Sequence, residues 1–238
     1  MGIVVVSGTG TEIGKTVVTA AVAAAAAAAG RSVAVLKPAQ TGLTPDERGD
    51  ADEVVRLSGA KTSAELARYP EPLAPGTAAR RAGMPQVGPE RVAEAARALA
   101  AEHDLVLVEG AGGLLVRFDD DGGTLADVAR LLGAPVLVVT PAGLGTLNPA
   151  ALTGEALRAR GIEQLGVVVG SWPAEPDLAA LCNLADLPES AGAPLLGAVP
   201  EGSGALDPAV FRATAGDWLA PALGGTWDAE AFARAAGA

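Results

Sequence analysis

The sequence has very few of the side chains that carry most enzyme chemistry. Cys182 is the only cysteine and His103 the only histidine. A disulfide framework and a multi-cysteine zinc site are therefore excluded within one chain. A free cysteine is usually a small buried hydrophobe, so we expect Cys182 to be buried. His103 follows a predicted helix and precedes a predicted strand, where we expect a packing or surface role rather than chemistry.

Aromatic residues and positive charges are also scarce. Aromatics make up 3% of the chain and hydrophobic residues 50%, so the core must be built from alanine, valine and leucine. The net charge of −11 argues against a nucleic-acid partner, because neutralising phosphates requires lysine and arginine. We find no secretory signal, and the alanine-rich run at Ala20–Ala29 is shorter than the roughly 20 residues that span a bilayer. We therefore expect no membrane partner and a cytoplasmic location.

One stretch near the N-terminus has a recognisable chemical pattern. Ser7–Thr16 reads SGTGTEIGKT, in which Gly8, Gly14, Lys15 and Thr16 satisfy G-x-x-x-x-G-K-[ST]. The glycines let several backbone N–H groups point at one phosphate. The lysine ammonium reaches the terminal phosphates, and the threonine hydroxyl suits Mg²⁺. The pattern indicates a phosphate-binding loop, or P-loop.

The residues around this loop support the same interpretation. The apolar run Ile3–Val6 is typical of a buried parallel strand. Lys15–Ala29 is rich in alanine, the best helix former, and stops at Gly30. Strand, glycine loop and helix therefore follow one another in the order that the motif requires.

Strands and helices alternate through the rest of the chain. Apolar runs predict further strands at Val33–Leu36, Leu105–Glu109, Pro135–Val139, Leu165–Val169 and Leu195–Val199. Helical spacing predicts helices at Asp50–Ser58, Pro89–Glu102, Thr124–Leu132 and about Pro149–Arg160, with two weaker patterns at Val210–Leu219 and Glu230–Ala235. The segment Leu66–Gly88 is rich in proline and glycine and predicts a long irregular binding loop. Residues 1–238 are thus predicted to form a single α/β domain of the P-loop NTPase type, with a mostly parallel, doubly wound sheet and helices on both faces.

Polar residues stand where predicted strands end or helices begin. Lys37 follows the second strand, at the sheet edge where parallel sheets bind ligands. Glu109 ends the third strong strand, as the Mg²⁺-binding acid of a Walker B motif does. Asp50 stands at a helix entry, where it could either favour the helix dipole or face the phosphates as a metal ligand.

Five motifs in order give the chain a family resemblance. They are GTGTEIGKT at 8–16, KPAQTG at 37–42, GDADEV at 49–54, VEGAGGLLV at 108–116 and GLGTLN at 143–148. Together they cover the first two thirds of the chain and resemble the dethiobiotin synthetase family of biotin biosynthesis. The P-loop alone is not specific, whereas its combination with the last two motifs and KPAQTG is.

The resemblance implies a reaction as well as a fold. A member of this family is a homodimer of P-loop domains with active sites at the subunit interface. It joins 7,8-diaminononanoate, CO₂ and a nucleoside triphosphate in a Mg²⁺-dependent ligase reaction. One amine captures CO₂ as a carbamate, whose oxygen attacks the γ-phosphate to give a carbamic–phosphoric anhydride. The second amine then closes the cyclic urea of dethiobiotin and expels phosphate.

The resemblance also implies roles for individual residues. Lys37 and Lys15 would be catalytic, and Thr16, Asp50 and Glu109 would hold Mg²⁺. The nucleotide would contact Glu12, Ile13, Gly14, Lys15, Thr16, Val17, Glu109, Gly110, Ala111, Gly112, Gly170, Ser171, Val199, Pro200 and Glu201. The diamine would contact Thr11 and Thr41, and its tail carboxylate would meet Gly143, Leu144, Gly145, Thr146, Leu147 and Asn148, supplied by the partner subunit.

The last third of the chain departs from the family pattern. Family members often carry an asparagine that reads the adenine edge, where this chain has Gly170-Ser171-Trp172-Pro173. This difference predicts a relaxed base preference that accepts ATP or CTP.

Three other interpretations compete with this one. A nucleotide switch of the partitioning-ATPase type would carry an extra lysine near the start of the P-loop, where this chain has Ser7-Gly8-Thr9. A cobyrinate-type amidase would need an additional glutaminase domain, for which the chain is too short. A P-loop ATPase with another target is opposed by the KPAQTG and GLGTLN matches.

Overall fold

A computed structural model describes residues 2–238 of the chain. The strands are β1 (Ile3–Gly8), β2 (Val33–Lys37), β3 (Gln40–Thr41), β4 (Thr62–Glu65), β5 (Arg68–Tyr69), β6 (Leu105–Gly113), β7 (Val136–Thr140), β8 (Gln164–Trp172) and β9 (Leu195–Pro200). The α-helices are α1 (Lys15–Ala28), α2 (Asp50–Ser58), α3 (Pro75–Ala82), α4 (Pro89–Ala100), α5 (Leu125–Leu132), α6 (Leu147–Ala159), α7 (Leu178–Ala191), α8 (Pro208–Thr214) and α9 (Ala229–Ala236). Short 3₁₀ helices lie at Ser203–Ala205, Ala215–Trp218 and Pro221–Leu223.

Seven strands form one parallel sheet in the order β4-β2-β6-β1-β7-β8-β9. Strand β1 pairs with β6 on one side and with β7 on the other, so the loop after β1 lies near the middle of the sheet edge. A second, two-stranded parallel sheet is formed by β3 and β5. The predicted parallel α/β fold is confirmed.

Helices cover both faces of the sheet because successive strand side chains point in opposite directions. In β1, Val4 and Val6 belong to one hydrophobic cluster, whereas Val5 belongs to the other. The first cluster also contains the buried side of α1, α2 and α7, and the second contains the buried side of α4 and α5. Burial on both faces explains why the strands are continuous valine and leucine runs rather than alternating patterns.

Helix α1 follows the P-loop and is buried over most of its length. Its covered residues include the alanines between Ala20 and Ala26, which are at most 5% exposed. Alanine combines the highest helix propensity with a small side chain, so the helix can lie close to its neighbours. This packing fixes the helix whose first turn carries Lys15 and Thr16.

The structure corrects the sequence-based interpretation of several segments. Leu66–Gly88 is not wholly irregular, because it contains β5 and α3, and Pro75 begins α3 at the first helical position that proline favours. Edge strand β4, strand β3 and helix α7 were not predicted. Strand β4 is short and only partly buried, and α7 contains Pro188, so neither has a clear hydrophobic pattern.

Some predicted boundaries also move. Helix α6 begins at Leu147 rather than near Pro149. Strand β6 continues beyond its predicted end at Glu109 to Gly113, so the glycines after Glu109 are strand residues. The pattern predicted as one helix at Val210–Leu219 is divided between α8 and a 3₁₀ helix.

The structure shows the surroundings of the single cysteine and the single histidine of the chain, Cys182 and His103. The prediction that Cys182 is buried was wrong, because this residue lies on the exposed side of α7. His103 is half-buried and is held by two hydrogen bonds within the fold. Its Nδ1 is 3.0 Å from the Leu99 carbonyl oxygen and its Nε2 is 2.9 Å from the Thr62 hydroxyl oxygen.

Aromatic contacts attach the C-terminal helix to the sheet. The ring of Phe232 in α9 lies 5.2 Å from that of Trp172 and 5.4 Å from that of Trp227, measured between centroids. These are favourable aromatic spacings, so the few aromatic residues are concentrated where a short helix needs an anchor. Within residues 2–238, no helix is long and apolar enough to cross a membrane.

Two glycines allow the P-loop to lie directly against strand β8. A Cβ atom added to Gly170 would lie 2.0 Å from the Ile13 carbonyl oxygen. A Cβ atom added to Gly14, whose φ is 88°, would lie 2.3 Å from the Gly170 carbonyl oxygen. The loop and the strand are therefore in backbone contact, with no space for a side chain at either position.

We predict that Gly170→Ala destabilises the protein by about 1–3 kcal/mol, because the methyl group must displace the P-loop backbone. Urea unfolding measures this loss. Gly216→Ala is the matched control, since Gly216 has a negative φ and no atom within 4 Å of an added Cβ. Equal stability of the two variants would contradict the proposed backbone contact.

Candidate active site

The P-loop forms a tight turn around the Lys15 side chain. The Lys15 ammonium donates a hydrogen bond to the Gly10 carbonyl, with an Nζ to oxygen distance of 2.6 Å. Glu12 has φ 58°, an unusual backbone conformation for a residue other than glycine, and such conformations concentrate at functional sites. Burial, reinforced by the nearby charge of Lys37, lowers the pKa of Lys15. A phosphate group would relieve both effects by supplying negative charge.

Lys37 lies at the centre of a buried ionic cluster. Its ammonium nitrogen is 2.5 Å from Asp50 Oδ2 and 3.0 Å from Glu109 Oε1, and it donates to the Gly110 carbonyl at 3.2 Å. Burial by itself would lower the pKa of Lys37, but the charges of Glu109 and Asp50 outweigh it and raise the pKa. The lysine is therefore held as a fixed cation at the edge of the sheet.

Glu109 connects the ionic cluster to the P-loop. The Thr16 hydroxyl donates to Glu109 Oε1 at 2.9 Å. Glu109 is only 1% exposed, and its other carboxylate oxygen, Oε2, has no hydrogen-bond partner. Burying a charged oxygen without a partner is costly, so this atom is suited to an additional cation or donor.

The oxygen atoms of Thr16, Asp50 and Glu109 fit a magnesium site. Mg²⁺ prefers hard oxygen ligands and is usually held by one or two carboxylates together with phosphate and water. The unpartnered Glu109 oxygen provides one such ligand. Across residues 2–238 there is no group of three or more His, Cys, Asp and Glu residues that could hold a metal. An ion here would thus depend on the nucleotide for part of its coordination.

Two residues outside the predicted set position Asp50. Gln40 accepts a hydrogen bond from the Asp50 backbone N–H at 2.8 Å and so occupies the N-terminus of α2. Arg68 donates to the Thr44 carbonyl at 3.1 Å and to Glu65 Oε1 at 2.7 Å, which anchors the loop before α2. Gln40 lies within the KPAQTG motif, so the motif contained the signal for it. Arg68 has no sequence signal, because its partners come together only in the folded chain.

A cavity of about 700 Å³ opens at this edge of the sheet. It brings together the predicted residues Thr11, Glu12, Ile13, Gly14, Lys15, Thr16, Lys37, Thr41, Asp50, Glu109, Ala111 and Gly112. Its other walls were not predicted and are formed by Ala39, Gln40, Gly42, Pro72, Leu73, Ala74, Pro75 and Val116. Most of these additional residues are apolar, so the cavity has an apolar wall beside its charged side.

The other predicted nucleotide contacts do not line this cavity. They are Val17, Gly110, Gly170, Ser171, Val199, Pro200 and Glu201, of which Gly110 supplies its carbonyl to Lys37. The Glu201 N–H donates to the Trp172 carbonyl at 2.8 Å, so β8 and β9 end together. Gly204, just beyond them, would bring an added Cβ within 3.2 Å of the Val17 side chain. The β8 and β9 residues of this group therefore border the first turn of α1, next to the P-loop.

The predicted tail-binding segment, Gly143–Asn148, also lies outside the cavity. Leu144 is 92% exposed, whereas Thr146 is buried and forms a hydrogen bond with the Thr140 hydroxyl. Thr140 in turn accepts a hydrogen bond from the Thr9 hydroxyl of the P-loop at 3.3 Å. The segment is thus attached to the P-loop at its base and open to solvent at its tip.

Three features together define a P-loop NTPase. They are the parallel sheet, the glycine loop after β1 and the contacts of Lys37 and Thr16 with Glu109. Solved structures support this class. The chain superposes on a ParA family ATPase from Chlorobium tepidum with a TM-score of 0.56, at 14% identity, over 93% of this chain and 95% of that chain. It superposes on the MinC:MinD cell division protein complex of Aquifex aeolicus with a TM-score of 0.55, at 15% identity, over 90% of this chain and 86% of that chain. At these identities the likeness concerns the fold alone.

Sequence relatives identify the family within this class. A protein-family profile described as "AAA domain" matches residues 3–208. The chain is 73% identical to ATP-dependent dethiobiotin synthetase BioD of Streptomyces avermitilis, over 99% of both chains. It is 70% identical to the protein of the same name from Streptomyces coelicolor, over 98% of both chains. The chain belongs to the dethiobiotin synthetase family, which confirms the resemblance found in its motifs.

From the ionic cluster of Lys37, Asp50 and Glu109 we predict how single and double substitutions change the free energy of unfolding in metal-free buffer. Lys37→Met leaves the buried Glu109 carboxylate without its cation, so we expect the free energy of unfolding to fall by about 3–5 kcal/mol. Adding Glu109→Gln removes the unpaired charge and should restore part of this loss. Urea unfolding of the single and double variants measures both effects. A double variant that is less stable than Lys37→Met would show that the two residues are not coupled as described.

Proposed function

We propose that this protein is a Mg²⁺-dependent ligase that forms the cyclic urea of dethiobiotin. Its substrates would be 7,8-diaminononanoate, CO₂ and a nucleoside triphosphate. The observation that carries the proposal is one cavity in which the P-loop, the fixed cation Lys37 and an apolar wall lie together. Family membership supports the proposal, because relatives of 73% and 70% identity are named ATP-dependent dethiobiotin synthetase.

The charged side of the cavity suits the triphosphate. The backbone N–H groups of the P-loop and the Lys15 ammonium would surround the β- and γ-phosphates. Thr16, Asp50 and Glu109 would hold Mg²⁺, which supplies positive charge to the phosphate oxygens during phosphoryl transfer. The hydrogen bond between Thr16 and Glu109 already aligns two of these ligands.

Lys37 would act on the reacting phosphoryl group. Its raised pKa keeps it charged at neutral pH, and its contacts with Asp50 and Glu109 hold its position before substrates bind. A preorganised cation needs little rearrangement as negative charge develops, which is how electrostatic catalysis lowers a barrier. The cavity contains no cysteine or histidine, and the proposed reaction needs no protein nucleophile.

The proposed reaction balances without any group beyond its substrates. One amine adds to CO₂ and loses a proton to give a carbamate. A carbamate oxygen then attacks the γ-phosphorus, and the bond to the nucleoside diphosphate breaks. The second amine attacks the carbonyl of the resulting anhydride and loses a proton, so that phosphate departs with the carbamate oxygen and the urea ring closes. Holding both reactants in one cavity supplies much of the rate enhancement.

The apolar wall would accept the hydrocarbon chain of the diamine. Pro72, Leu73 and Val116 face the same cavity as Thr41, whose hydroxyl could contact an amine. The tail carboxylate would extend away from the P-loop and meet Gly143–Asn148 of a second subunit. The exposed Leu144 tip is available for such a contact, and we therefore propose that the protein works as a homodimer.

We also propose a relaxed base preference. Gly170 has no side chain, and the backbone contact with Ile13 leaves no room for one. Backbone groups of Ser171 and of Val199–Glu201 would then face the base, and they discriminate less sharply than a side-chain amide that pairs with adenine. CTP should therefore support the reaction alongside ATP.

The proposed function predicts phosphate release that requires both 7,8-diaminononanoate and bicarbonate in the presence of Mg²⁺, together with a product of the mass of dethiobiotin. We expect this with ATP and with CTP. Lys37→Met should reduce turnover by about 10²-fold or more, the usual effect of losing one electrostatic contact to the transition state. The solvent-exposed variant Lys61→Met is the matched control and should keep wild-type turnover.

Each alternative gives a different result in the same assay. Hydrolysis that ignores the diamine and is stimulated by DNA or a protein partner would favour a partitioning-type switch. Turnover with ATP and none with CTP would keep the ligase and overturn the base preference. Undiminished turnover in Lys37→Met would refute the role of Lys37.

A further inference from the structure

Asn183 is a polar residue on the buried face of helix α7. The covered residues of this helix are Ala180, Asn183, Leu184, Leu187 and Ala191, which follow helical spacing. Asn183 is only 5% exposed, in a position where an apolar side chain would normally pack. Burying an amide is unfavourable unless it forms hydrogen bonds, so its partners indicate its role.

Those partners are in the loop between β7 and α6. The Asn183 side-chain nitrogen donates to the Ala142 carbonyl at 2.7 Å and to the Gly143 carbonyl at 3.1 Å. Both partners are carbonyl oxygens, which only accept, so the NH₂ end of the amide must face them. One side chain thus holds two consecutive peptide groups of the loop.

The orientation of these two peptide groups also fixes the direction in which their N–H groups point. Residues 2–238 contain no cis peptide bond, and in a trans peptide the N–H points opposite to the preceding carbonyl. Because the Ala142 and Gly143 carbonyls point at Asn183, the N–H groups of Gly143 and Leu144 point away from it. Neither N–H has a protein acceptor in the described part of the chain. Two adjacent donors therefore face outward beside the exposed Leu144 tip.

We infer that Asn183 is a positioning residue for recognition of the substrate's carboxylate. It would turn the Gly143 and Leu144 N–H groups outward, where they can donate to a carboxylate oxygen. Asn183 itself does not touch the substrate, and the inference rests on the proposed function of the loop. The inference adds to the proposed function the residue that orients this loop. That residue, Asn183, lies about forty positions after the loop in the sequence.

The test uses Asn183→Leu, which keeps the buried volume and removes both hydrogen bonds to the loop. With saturating nucleotide and bicarbonate, we expect the KM for 7,8-diaminononanoate to rise about 10- to 100-fold, in line with about 1 kcal/mol for each hydrogen bond. The kcat and the KM for ATP should change by less than about twofold. A merely structural role would lower kcat and stability without singling out the diamine.

A second substrate separates carboxylate recognition from general damage. The analogue 2,3-diaminononane has a methyl group where the substrate has its carboxylate. Its reaction should therefore be equally slow in the wild type and in Asn183→Leu. Leu184→Ala is the matched control within the same helix. It should reduce stability by opening a cavity while leaving the ratio of kcat/KM values for the two substrates as in the wild type.

Three results would overturn the inference. An unchanged KM for the diamine in Asn183→Leu would show that the loop does not need the amide. An equal loss with the diamine and with its carboxylate-free analogue would show that the effect is not on carboxylate recognition. A wild-type protein that forms no dethiobiotin would overturn the proposed function, and with it the role assigned to Asn183.

Discussion

The buried charge of Lys37 is the interaction on which the rest of the site depends. A lysine this deeply covered needs negative partners, and Asp50 and Glu109 supply them from two different elements. The same contacts draw the start of α2 and the end of the β6 valine run toward the P-loop. The cation that we propose to be catalytic and the candidate magnesium ligands are thus assembled by one ionic cluster, whose geometry exists before any substrate binds.

The sheet topology makes this assembly possible. In a parallel sheet all strands end at the same edge, so β1, β2 and β6 deliver the P-loop, Lys37 and Glu109 to one place. Glycine backbones then allow contacts that side chains would prevent, as between Gly14 and Gly170. The alanine-rich helix α1 completes the arrangement, because a slender buried helix fixes the direction of the P-loop without large aromatic residues.

Local patterns were sufficient to predict six of the seven strands of the main sheet, most of the longer helices and the charged side of the cavity. Each of those features is encoded within a few neighbouring residues, as in the G-x-x-x-x-G-K-T run or the valine strand before Glu109. Arg68 and Asn183 could not be predicted, because their hydrogen-bond partners are distant in sequence or become close only after folding. Cys182 shows the same limit: a general tendency toward burial does not specify which side of a helix a residue occupies. The roles of all the predicted site residues stay predictions, and Gly170–Ser171 and Val199–Glu201 differ from the others only in that they border the P-loop without lining the cavity.

The most direct test of the proposed ligase reaction follows one oxygen atom of the carbamate. The proposed chemistry transfers a carbamate oxygen to the γ-phosphorus and then releases it with phosphate, which no simple hydrolysis does. With ¹⁸O-labelled bicarbonate, 7,8-diaminononanoate and ATP, we predict one labelled oxygen in the released phosphate and label in the urea carbonyl, when sampled before the label exchanges with water. Released phosphate that takes its new oxygen from water alone would contradict the proposed ligase reaction and leave only a P-loop ATPase.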